Sequence, residues 1–121
     1  MDLIESKWTR EIERRIGDTM GADFERNKND VINGQSVLLC SDELILIYRN
    51  DFDCCVLVLL KGKNPESAID KFYKTAKSLY YTNIRFYSVR GKALCRMFKK
   101  YSPYYSGKCY NGFYEYIIEV K

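Results

Sequence analysis

The apolar positions change their period along the chain, and the changes mark out its elements. In residues 3–20, Ile4, Trp8, Ile12 and Ile16 recur every four residues while Glu5, Arg10, Glu13 and Arg14 fall on other faces. This spacing predicts an amphipathic helix ending near Gly17 and Gly21. Residues 23–35 are polar, with Asn27, Asn29, Asp30, Asn33 and Gly34, and predict a loop with room for a short helical turn. Three strands follow at Ser36–Cys40, residues 43–49 and residues 54–60, joined by Ser41-Asp42 and Asn50-Asp51, which predicts an antiparallel meander. The third is apolar throughout, the mark of a central strand covered on both faces.

The second half alternates more clearly between helix and strand. Asn64 is placed to cap a helix that has Pro65 at its first position and Glu66 in its first turn. That helix runs to about Tyr80, burying Ile69, Phe72, Ala76 and Leu79. Residues 84–89 predict a strand, and a helix from about Gly91 buries Leu94, Met97, Phe98 and Tyr101 and stops at Pro103. Residues 104–110 and 113–120 flank Asn111-Gly112, the signature of a type I′ hairpin. The expected architecture is α+β, in the order α-β-β-β-α-β-α-β-β: a mixed, mostly antiparallel sheet of five to seven strands with helices packed on it.

Size fits one domain over residues 1–121, large enough to bury a core. Hydrophobic residues at 46% and charged residues at 30% belong to a folded chain rather than a disordered one. The longest apolar run, residues 54–60, is too short to span a bilayer, and the N-terminal stretch lacks the apolar segment of a secretory signal, so a cytoplasmic location (or a virion assembled in the cytoplasm) is expected. Five cysteines without a CxxC spacing, and no histidine at all, argue against a metal site and for free buried thiols. The missing histidine also excludes Ser-His-Asp and Cys-His nucleophiles. No catalytic residue is assigned; Glu43, Asp51 and Asp53 could supply a base, or simply end hairpins.

Charge divides the chain. Residues 1–60 carry 7 basic and 12 acidic side chains, a net of −5, whereas residues 61–121 carry 13 and 4, a net of +9. Ten of the 11 tyrosines lie in that basic half. Lys71, Lys74, Lys77, Lys92, Arg96, Lys99 and Lys100 could follow a nucleic-acid backbone or an acidic partner with tyrosines stacking nearby, or form ordinary solvated helix faces. Lys61, Gly62, Lys63 and Asn64, at a helix N-terminus, could hold a phosphate or form a plain strand-to-helix loop.

The element order, together with the stretch from Ile84 to Gly112, resembles the GNAT (Gcn5-related N-acetyltransferase) superfamily. The family's Leu-Tyr-x-Lys-x-Gly-Phe pattern falls on Met97, Phe98, Lys99, Lys100, Tyr101, Ser102 and Pro103, of which Lys100 carries the family's residue. The resemblance implies an acetyl-CoA site whose pyrophosphate loop, Gln/Arg-x-x-Gly-x-Gly/Ala, corresponds to Lys61-Gly62-Lys63-Asn64-Pro65. That loop here has one glycine and a proline without an N–H. The family's proton-donating tyrosine falls at Phe98. Degenerate members of this kind occur in tailed phages. The main expectation is therefore a small non-catalytic binding or assembly module without a cofactor. A nucleic-acid-binding protein and an acetyl-CoA-dependent N-acyltransferase with a reduced cofactor loop are the alternatives.

Overall fold

The computed structural model describes residues 3–88 and 95–121. Seven strands form one sheet in the order β1-β2-β3-β4-β5-β7-β6. They are β1 (Ile4–Ser6), β2 (Ser36–Cys40), β3 (Leu44–Asp51), β4 (Cys54–Gly62), β5 (Asn83–Ser88), β6 (Tyr104–Tyr110) and β7 (Phe113–Glu119). Every pairing is antiparallel except β4 with β5. Three helices, α1 (Arg10–Ile16), α2 (Phe24–Ile32) and α3 (Pro65–Ser78), join them, with short 3-10 turns at Gly21–Asp23 and Lys99–Tyr101. Residues 95–97 are also helical. Among the described residues no helix is long and apolar enough to cross a membrane.

The α+β expectation holds, and β4 is central. Alternation along the strands sorts side chains onto two faces. On one, Leu46, Tyr48, Cys55, Leu57, Ile84, Phe86 and Ile118 bury against Ala68, Ile69, Phe72 and Ala76 of α3 and against Phe98. On the other, Leu38, Ile45, Ile47 and Leu59 bury against Ile12 and Ile16 of α1. Asn111 and Gly112 take φ of 50° and 85° at the β6–β7 turn, the positive values a type I′ turn requires.

Five expectations are corrected. Residues 3–20 do not form one helix: Ile4–Ser6 is an edge strand on β2, and Ile4 is exposed. The helix starts only after Thr9, whose hydroxyl accepts the Ile12 N–H at 3.2 Å, a cap that sets the boundary. Residues 23–35 are mostly helix, because Phe24 docks edge-on against Trp8 and Lys28 pairs with Glu13 of α1 at 2.9 Å. The order thus gains a first strand and a second helix. Asn64 makes no side-chain cap; it is left-handed (φ 53°) and donates instead to the Glu43 carboxylate. Leu79 and Met97 are exposed rather than buried; for Leu79 the reason is that α3 ends at Ser78. The cysteines are free, but only Cys54 and Cys55 are buried; Cys109 is exposed on the edge strand β6. The predicted helix start at Gly91, with Lys92 and Leu94, lies outside the described residues, as does Val89.

Candidate functional site

The parallel pair decides where a ligand has room. β4 and β5 are joined through α3, and their pairing ends at Leu57 opposite Phe86 although β4 continues to Gly62. Beyond that point the β5-facing edge of β4 has no strand partner among the described residues. Crevices outside the carboxyl ends of parallel strands are where open sheets of this kind bind ligands. A bulge falls at the same place: Ile47 pairs with Leu59 and Tyr48 with Leu57, so Val58 is an extra, unpaired residue. Bulges of this kind bend a strand and re-aim its groups.

A cavity of ≈ 590 Å³ opens beside the bulge on the α1/α2 face. β4 supplies Val56, Leu57 and Val58, β5 supplies Tyr87, and the hairpin supplies Tyr110, Asn111 and Phe113. Arg49 of β3 and Asp23, Arg26 and Asn27 around the start of α2 complete it. Cross-strand register explains the grouping. Arg49 stands opposite Val56, Val56 opposite Arg85, and Tyr87 opposite Glu115, all on one face.

Glu115 is the only buried carboxylate among the described residues, 3% exposed. It accepts the Tyr87 hydroxyl at 2.8 Å. Burial first, and the adjoining carboxylate second, push the Tyr87 phenol up to about 12, so it stays protonated at neutral pH. The pair is thus a cavity-wall hydroxyl backed by an acceptor. Sequence reading missed it because the partners are 28 residues apart and only the β5–β7 register joins them.

The residues singled out from sequence have separate fates. Lys61 donates to the Ile16 carbonyl at 2.9 Å, closing the C-terminal end of α1. Lys63 N–H donates to the Glu43 carbonyl, and Gly62 packs its backbone on Glu43 and Leu44. Glu43 accepts Asn64, Asp51 lies 3.9 Å from Arg85, and Asp53 accepts the Thr82 hydroxyl. Lys71 and Lys74 are exposed on α3, and Arg96, Lys99 and Lys100 are exposed beyond β5. Lys100 lies 3.6 Å from Asp70, whose carboxyl is held below its ordinary range first by the Tyr101 hydroxyl and then by Lys100 and Lys74. Lys92 is outside the described residues. Phe98 is fully buried and stacks on Phe86 at 5.1 Å, a core residue.

No family model matches the sequence, and no curated protein is similar to it by sequence. Solved structures are similar in fold. An acetyltransferase of Bacillus subtilis in complex with CoA superposes with a TM-score of 0.70 at 9% identity, covering 98% of each chain. The Campylobacter jejuni N-acetyltransferase PseH in complex with acetyl coenzyme A gives 0.70 at 15% identity over 99% of each chain. The chain has the fold of the GNAT acetyltransferases. A GNAT-family acetyltransferase from Staphylococcus aureus agrees, at 0.65 and 11% identity over 99% of this chain and 100% of that one.

The GNAT likeness corrects the expectation that no cofactor is involved, because the Bacillus and Campylobacter structures hold CoA and acetyl-CoA. The residues here fit such a group at two places. The edge of β4 from Val58 to Gly62, unpaired among the described residues, offers backbone donors and acceptors to an extended amide-bearing arm. The N-terminus of α3 has no side-chain cap, so its first-turn N–H groups are open to phosphate. Pro65 removes only an N–H at the first helical position, one of several there without an intrahelical partner. Glu66 is the charge that opposes phosphate at this end.

Proposed function

We propose that this chain transfers an acyl group from an acyl-CoA to an amine. The splay of β4 from β5, with the Val58 bulge opening onto the cavity, is the observation that carries the reading. The fold-level likeness to acetyltransferases supports it over the non-catalytic module. When bound, the cofactor would supply a thioester carbonyl as electrophile and a thiolate as leaving group.

The chain's own groups would do the rest. Backbone along residues 58–62 would hold the amide-bearing arm, and the first turn of α3 the phosphates. The cavity would take the amine. Tyr87 and Glu115 would accept its proton, the hydroxyl passing its own proton to the carboxylate 2.8 Å behind it as it receives another. A buried acid–hydroxyl pair of this kind works without histidine, which the chain lacks.

The test is release of free CoA thiol from acetyl-CoA in the presence of a panel of primary amines. Amine-dependent release is expected, with acetylated amine found by mass spectrometry. Release with no amine of the panel, at protein concentrations of about 10 µM for hours, would overturn the proposal.

A further inference from the structure

The cavity's charges say something about the amine that enters it. Three arginines lie on or beside its walls, and two have carboxylate partners. Arg26 pairs with Asp23 at 3.1 Å, both well exposed. Arg85, one strand beyond Val56, lies 3.9 Å from Asp51 and also feels Glu115. Arg49 is different. It is half-buried on β3, lines the cavity, and has no ion pair or side-chain hydrogen bond among the described residues. A guanidinium drawn partly out of water without a counter-ion loses hydration that no described residue restores. An anion in the cavity would restore it.

We infer that the amine acylated here carries an oxyanion, a carboxylate or a phosphate, and that Arg49 holds it. The amine part rests on the transferase reading above; the anion part rests on the cavity alone. A guanidinium presents its N–H groups as a planar fork that matches the two oxygens of either group. Asp23, the one carboxylate among the lining residues, is already engaged by Arg26, and Glu115 lies behind the Tyr87 hydroxyl, so a polyamine would meet Arg49 with no open carboxylate beside it. Tyr87, Tyr110 and Phe113 line the same cavity with ring faces and edges, surfaces suited to the carbon skeleton between amine and anion.

The experiment compares amines of one skeleton that differ only in charge: an amino acid, its methyl ester, an aminoalkyl phosphate of similar length, and a diamine. Two readouts are taken on the intact chain. Ligand-observed NMR measures binding without any turnover, and thiol release measures kcat/KM with acetyl-CoA.

The acid or the phosphate should exceed the ester and the diamine by about 10- to 100-fold in affinity, the range of a charge-assisted bond. Whichever of the two exceeds the other identifies the oxyanion. In Arg49→Gln that preference should collapse to near unity. In Arg26→Gln, where Asp23 already meets the charge, it should change about 3-fold or less. Equal binding of acid, phosphate and ester, preference for the diamine, or a larger effect from Arg26→Gln than from Arg49→Gln would overturn the inference. Anion-selective, Arg49-dependent binding with no turnover of any amine would uphold the anion part while refuting the transferase reading.

Discussion

Gly62 closes β4 and starts the loop into α3, and replacing it with alanine tests the geometry on which both cofactor-facing surfaces depend. Its φ is 142°, a conformation that residues with a side chain rarely adopt. A Cβ there would overlap the Glu43 carbonyl oxygen and lie 2.6 Å from Leu44 Cα, backbone atoms at the start of β3 that cannot swing aside. The backbone conformation costs about 1–3 kcal/mol. Forcing β3 and β4 apart adds about 1–3 kcal/mol, the range for overpacking. Gly62→Ala should therefore destabilise by about 2–6 kcal/mol. Gly107→Ala is the control, with positive φ (93°) but nothing within 4 Å of the added carbon, and should lose only about 1–2 kcal/mol. Urea denaturation followed by circular dichroism measures both. With an m of about 1.5 kcal/mol/M, the Gly62→Ala midpoint should fall by about 1.3–4 M. Equal midpoints for the two variants would show that β4 does not close on β3 as described.

Leu57→Ala should cost about 2–5 kcal/mol by denaturant melt, since Leu57 is 7% exposed at the centre of the sheet. Glu115→Gln and Tyr87→Phe should each lower kcat for amine acylation by about 10²-fold or more, with KM little changed, in steady-state assays. Asp70→Asn should reduce the fall of stability in acid. Its folded carboxyl sits below the ordinary value, so its contribution is present above pH ~4 and is lost as pH drops through the lowered value. Thermal melts from pH 7 to pH 2 check that sign.

Elements were legible in the sequence where local chemistry decides them. Asn111-Gly112 fixes a hairpin by its own φ preferences, and the apolar run from Cys54 marks a strand covered on both faces wherever it sits. Pro65 likewise fixes the start of α3. Elements decided by tertiary contact were not legible. Ile4 to Ser6 is a strand only because β2 offers an edge to it, and its period-four spacing with Trp8 misled. α2 lacks a clean stripe because buried Asn27 and ion-paired Lys28 interrupt Phe24 and Val31. Thr9 was a readable cap signal that the isoleucine periodicity overrode. The site suffered more, because its parts are joined by register. Arg49, Val58, Tyr87 and Glu115 come from four strands, and no spacing along the chain brings them together.

Titration calorimetry of the intact chain with acetyl-CoA tests the central claim most directly. A single saturable site is predicted, with Kd below about 100 µM, equivalent to about −5.5 kcal/mol. The affinity should weaken as salt rises, because part of it comes from phosphates at the N-terminus of α3. Absence of saturable heat at about 1 mM acetyl-CoA would contradict the account, leaving the splay of β4 and β5 as a feature of the fold without a ligand of this class.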